Sequence, residues 1–227
     1  ACTPVLKDEL TDETDTAIYV LSRQAGEGRD RRVEKGDYLF SNVEIESLKL
    51  LSAHYAKLIL ILNCGSVIDL SVLDETRIDA VLFYGQGGME GGNALADLLV
   101  GKATPCGKLT DTWAKRYEDY PSADTFSYRN GNLEQEDYLE GIYVGYRYFS
   151  SFDVKPRYPF GYGLSYTSFD YKMLSAKAKE SEVVVNVRVK NTDSYSGKEV
   201  VQVYLRKPNN KMSGEIISLV AFGKTKL

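Results

Sequence analysis

Three unbroken apolar runs constrain this chain more than any other feature: Ala17-Ile18-Tyr19-Val20-Leu21, Leu58-Ile59-Leu60-Ile61-Leu62 and Ala80-Val81-Leu82-Phe83-Tyr84. A strand with one face in water alternates apolar and polar residues. A run without alternation fits a strand of a parallel sheet, buried on both faces. Helix signals lie between the runs. Ser41-Asn42-Val43-Glu44 is a capping box, in which the Ser41 hydroxyl accepts the Glu44 N–H and the Glu44 carboxylate reaches back. Behind it, Ile45, Leu48, Leu51 and Tyr55 have the spacing of one buried helical stripe. A short amphipathic stretch separates the second and third runs, and a helix is expected over Ala94 to Val100. The order strand, helix, strand, short helix, strand, helix predicts an α/β domain with a largely parallel sheet.

Ligands of open α/β sheets bind beyond the carboxyl ends of the strands, so the residues there are the first candidates for function. The first run leads into Gly26-Glu27-Gly28-Arg29-Asp30-Arg31. Glycines on both sides let the backbone turn sharply and keep bulk away from Glu27. By itself, such a hexapeptide is better read as a solvated turn. The stretch from Arg29 to Asp37 mixes charges of both signs and reads as a surface loop. The second run ends at Asn63-Cys64-Gly65-Ser66. The third opens into Gly85-Gln86-Gly87-Gly88-Met89-Glu90-Gly91-Gly92-Asn93 ahead of a helix. Helix N-termini attract phosphates, but the spacing is neither GxGxxG nor a Walker A pattern. The glycines are read instead as allowing tight packing and close backbone approach to a ligand.

Composition narrows the chemistry. A net charge of -4 over 227 residues offers no basic surface for nucleic acid. No apolar run approaches the ~20 residues of a membrane-spanning helix. Cys2, Cys64 and Cys106 are far apart, no CxxC exists, and His54 is the only histidine and sits inside a helical pattern. A zinc site, a disulfide framework and a Ser-His-Asp triad are therefore not expected. A reducing, cytoplasmic location fits the cysteines. Ala1-Cys2-Thr3-Pro4 lacks the basic and apolar regions of a signal peptide. No initiator Met is present, so the chain is expected to be a piece of a longer one. Catalysis, if any, falls to carboxylates, with no metal or organic cofactor. The 17 tyrosines suit sugar-facing surfaces and β-sandwich cores, and the core role is expected for most of them.

From Gly101 to Phe160 the chain is loop-rich and aromatic, and Glu140 to Phe149 reads as a strand or hairpin arm. After Thr167 the pattern changes. Val183, Val185, Val187 and Val189 have the two-residue period of a half-buried strand. Residues 191–197 form a turn cluster, residues 199–206 a second strand with Val201, Val203 and Leu205 on one face, and residues 216–222 a third. This is the start of a β-sandwich. Three or four strands do not close one, so the chain is expected to stop inside that domain. The boundaries drawn are 1–166 for the α/β domain and 167–227 for the β-sandwich.

Three stretches occur together and in order: GEGRDR at 26–31, YGQGGMEGGNALADLLVGKATPCGKL at 84–109, and EGIYVGYRYF followed by YPFGYGLSYTSFDY from Glu140 to Tyr171. The combination resembles the non-barrel part of family-3 glycoside hydrolases, the β-glucosidase family. The resemblance implies an α/β-sandwich domain with a largely parallel sheet, lacking its first strands, followed by a partial fibronectin-III-like β-sandwich. It implies retaining hydrolysis of terminal β-D-glucosyl residues, with Glu27 as acid/base and Arg29, Asp30 and Arg31 as loop support, Asp30 pairing with an arginine. A retaining site needs two carboxyls, ~5–5.5 Å apart. In the family the second comes from a barrel domain that is absent here. The expected partners are small β-linked oligosaccharides or glucosides and that barrel; self-association through uncovered faces is also expected. Cys106 and Thr110 stand where the family often has Ser or Asn and Pro. β-Xylosidase or arabinofuranosidase activity and a non-catalytic carbohydrate-binding module are the alternatives.

Overall fold

In the computed structural model, residues 3–24, 28, 30–132, 134–206 and 214–226 are described. The chain forms two compact units. One gathers Ala1–Gly92, Trp113–Gly141 and Val154–Tyr158, and the other Asn93–Thr112, Ile142–Asp153 and Pro159–Leu227. Residues 93–112, 142–153 and 159–166 thus pack with the C-terminal hairpins.

The first unit is built on strand β1 (Thr16–Ser22), helix α1 (Asn42–His54), strand β2 (Lys57–Asn63), helix α2 (Val72–Glu75) and strand β3 (Ala80–Phe83). The sheet has the order β1-β2-β3, and both pairings are parallel, with Ile18 beside Ile59 and Ile61 beside Leu82. Only the central strand has the predicted two-sided burial: Leu58, Leu60, Ile61 and Leu62 are almost wholly enclosed. Each such side chain contributes roughly 1.5–3 kcal/mol. Edge strand β1 alternates instead. Ala17, Tyr19 and Leu21 are buried, but Ile18 and Val20 are 49% and 52% exposed. β3 is not buried either; Ala80 and Phe83 are exposed. In β1 only one face is packed, and in β3 Val81 and Leu82 are no more than half-buried.

Helix α1 starts as its sequence demands. The Ser41 hydroxyl accepts from Glu44 N at 3.3 Å and the Glu44 carboxylate accepts from Ser41 N at 2.8 Å. Its inward face carries Glu44, Ser47, Leu48 and Leu51, while Ile45 is only half-buried. His54 ends the helix, 3.2 Å from Asp12 and edge-on to Tyr55. Helix α3 (Gly91–Leu99) begins three residues before the predicted start.

The second unit holds helix α4 (Tyr146–Ser151) and strands β4 (Phe169–Lys179), β5 (Glu182–Asn191), β6 (Val200–Arg206) and β7 (Ile217–Lys224). β4 pairs with β5 and β6 with β7, as two antiparallel two-stranded sheets. The strand expected over Glu140–Phe149 is absent. Gly141 and Gly145 take positive φ (+54° and +56°), which breaks an extended run, and Gly145 caps α4. Tyr146 anchors that helix: its hydroxyl accepts from Leu219 N at 2.8 Å and its ring meets Phe160 and Tyr204 at 5.1 and 5.8 Å. Residues 159–166 pack on residues 107–109. Leu109 N donates to Tyr162 O and Gly161 N to Leu109 O, both at 2.8 Å. A Cβ on Gly163 would overlap the Gly107 carbonyl. Lys108, held by Gly163 O at 2.6 Å, forms a largely buried ion pair with Glu199 at 3.0 Å. The tyrosines divide: Tyr19, Tyr38 and Tyr55 are core, but Tyr138, Tyr171 and Tyr195 are more than half exposed.

Candidate active-site edge

Because the sheet of the first unit is parallel, β1, β2 and β3 all end on one edge. Glu27 and Arg29 lie outside the described residues. Around them, Gly28 has φ +77°, a conformation in which glycine is at home, and Asp30 is exposed. Asp30 makes no ion pair among the described residues. The arginine that follows is paired with Asp37: Arg31 Nη1 donates to Asp37 Oδ1 at 3.0 Å and Nε to Ser66 Oγ at 2.7 Å, in the turn after β2. Asp37 comes six residues after Arg31, and its other carboxylate oxygen accepts from Arg32 N at 2.8 Å. Arg31 Nη2 is buried with no hydrogen-bond partner among the described residues.

Arg23, the residue after β1, is a group that the sequence did not single out. Its guanidinium forks onto Glu44, Nη1 to Oε1 and Nη2 to Oε2, both at 2.7 Å, and its Nε donates to Asp37 O at 2.7 Å. Both side chains are 5% exposed. Burial pushes the Glu44 carboxyl up, but the Arg23 hydrogen bonds and the Ser41 N–H outweigh it, so Glu44 titrates below the usual range and stays ionised. The capping box disclosed Glu44 as a cap. Its second partner, 21 residues earlier in the chain, leaves no local signal.

At the end of β2, Cys64 is fully buried. Burial raises its thiol, partly offset by the Arg31 and Arg23 charges, so it remains protonated and is no nucleophile. At the end of β3, Tyr84 accounts for two glycines of the following turn: a Cβ on Gly87 or Gly91 would overlap its hydroxyl. The glycine-rich turn is thus shaped around a tyrosine. Among the described residues no group of three His, Cys, Asp or Glu is placed to hold a metal.

Among the described residues this edge carries the Arg23–Glu44 and Arg31–Asp37 ion pairs and Gly28 at positive φ. The sequence profile of the glycosyl hydrolase family 3 C-terminal domain matches residues 7–166. A β-glucosidase of Ruminococcus albus is 43% identical over 225 residues, which is 98% of this chain and 23% of that protein. Beta-glucosidase A of Butyrivibrio fibrisolvens is 37% identical over 269 aligned residues, 99% of this chain and 32% of the relative. Among solved structures, β-glucosidase 3B from Thermotoga neapolitana in complex with glucose superposes with a TM-score of 0.88 at 40% identity, covering 94% of this chain and 30% of that one. A β-glucosidase from Paenibacillus barengoltzii gives 0.87 at 42% identity, over 93% and 23%. The chain belongs to glycosyl hydrolase family 3 and carries its C-terminal domain. It spans about a quarter to a third of the length of these relatives.

Proposed function

We propose that this chain is the part of a retaining β-glucosidase that supplies the general acid/base, Glu27, to a nucleophile carried on a barrel domain of the same enzyme. The family match over most of the chain carries the reading, together with relatives named β-glucosidase and the place of the GEGRDR hexapeptide in the sequence, a few residues after parallel strand β1. Glu27 first protonates the glycosidic oxygen of a terminal β-D-glucoside. It then deprotonates the water that releases the sugar. The terminal sugar is held mainly by the barrel, and small β-linked oligosaccharides are the substrates. Residues 1–166 are the α/β-sandwich domain and 167–227 the beginning of the fibronectin-III-like domain.

The test is the stereochemistry of the complete enzyme on an aryl β-glucoside. Proton NMR during the first turnovers should show β-glucose appearing before the α anomer. α-Glucose as the first product, or sugar binding with no turnover, would refute the reading.

A further inference from the structure

We infer that Arg23, Glu44 and Asp37 form a clamp that positions the acid/base loop, an inference that rests on the assignment of Glu27 above. Glu27 lies in the sequence between Arg23, the residue after β1, and Arg31, and both of these are held. Arg23 is fixed three times: its N donates to Asn63 O at 3.0 Å, its guanidinium forks onto Glu44, and its Nε reaches Asp37 O. Arg31 is fixed by the same residue, Asp37, whose Oδ1 takes Arg31 Nη1 at 3.0 Å and whose Oδ2 takes Arg32 N at 2.8 Å. Ser66 holds Arg31 from the end of β2. One backbone carbonyl and one carboxylate of Asp37 therefore bind Arg23 and Arg31 to each other, and Glu44 ties them to the first turn of α1.

A buried ion pair is a weak way to stabilise a fold, since apolar residues of similar volume often do as well. Its better-attested use is to select one arrangement, and a forked arginine–carboxylate pair has a defined geometry. A general acid must sit within about 2.6–3.2 Å of the oxygen it protonates. Misplacement by ~1 Å can cost on the order of 10²-fold. The clamp touches no substrate, so its loss should fall on proton transfer and not on sugar binding.

The experiment uses the complete enzyme with Glu44→Gln, Arg23→Lys and Asp37→Asn, each assayed on cellobiose and on an aryl glucoside with an acidic phenol, with melting curves on the same samples. Arg23→Lys keeps the charge and loses the fork. Asp37→Asn must turn an NH2 toward either Arg31 or the Arg32 N–H. Expected is a fall of ~10- to 10²-fold in kcat/KM on cellobiose and a much smaller fall in kcat/KM on the activated glucoside, whose kcat and KM fall together as glycosyl-enzyme accumulates. Equal losses of kcat/KM on both substrates, or losses that merely follow the folded fraction, would overturn the clamp. Failure of all three variants to fold would do the same, by assigning these groups to stability. Glu27→Gln, run alongside, separates the two ideas: if it shows no leaving-group dependence, the acid/base reading falls; if it does and the clamp variants do not, only the clamp falls.

Discussion

Replacing Arg23 by methionine keeps most of its length and leaves the Glu44 carboxylate buried without its cation. Glu44 loses two charge-assisted hydrogen bonds of 2.7 Å and keeps one from Ser41 N. At roughly 1.5–3 kcal/mol each, these bonds are worth about 3–6 kcal/mol. Removing one partner of a buried pair usually costs 3–5 kcal/mol, roughly the same. Glu44→Leu should cost a similar amount by stranding the guanidinium. The double variant removes both charges and should cost far less than the sum, a coupling of ~3 kcal/mol, the upper end for residues in contact. Urea melts at several pH values provide the assay. In the parent protein, Glu44 is held below its unfolded pKa, so its contribution is present above that value and lost as pH falls through the folded one. In Arg23→Met the balance reverses. Burial then dominates and raises the Glu44 pKa, so stability should be greatest in acid and decline as pH rises through the raised value. Single-variant losses below about 1 kcal/mol, additivity within ~0.5 kcal/mol, or an unchanged sign of the pH dependence would refute the reasoning.

Three further outcomes are expected. Gly91→Ala should destabilise by about 1–3 kcal/mol through overlap with the Tyr84 hydroxyl. Tyr84→Phe in the same chain should recover much of that loss in a thermal melt, whereas no recovery would place the strain elsewhere. Leu60→Ala, at a wholly enclosed position of the central strand, should cost about 2–5 kcal/mol, and a loss under 1 kcal/mol would mean that the sheet is loosely packed there. The 227-residue chain alone should not hydrolyse aryl β-glucosides, because a double displacement needs a second carboxyl from the barrel; turnover in the ordinary range of ~1–10³ per second would contradict it.

The sequence disclosed what is decided locally. Continuous apolar runs marked β1, β2 and β3, and Ser41 with Glu44 marked the start of α1, because period and capping act over a few residues. What depends on distant partners stayed hidden. Burial of β1 and β3 depends on what covers them, so the exposure of Ile18, Val20 and Phe83 was not legible. β4 went unnoticed because Phe169–Lys179 is lysine-rich and lacks a clean alternation; its strand character comes from eleven residues laid against β5 with a bulge between Met173 and Ser175. α4 was mistaken for a strand because its aromatic residues suit a sheet, while two glycines with positive φ decided otherwise. At the candidate site Glu27 was legible only through the resemblance of its glycine-flanked hexapeptide to a family motif, and it lies outside the described residues. The Arg23–Glu44–Asp37 network was not legible, since it joins residues from three parts of the chain.

The most direct test of the central claim is Glu27→Gln in the complete enzyme, assayed on cellobiose and on an activated aryl glucoside with and without azide. The amide keeps the shape of the side chain but cannot exchange the proton, and general acid–base help is worth typically 10²–10⁴-fold. Cellobiose, with its poor leaving group, should lose most. Glycosyl-enzyme should accumulate from the aryl glucoside, and azide should restore turnover because it attacks without a base. Equal losses on both substrates and no response to azide would remove Glu27 from the chemistry.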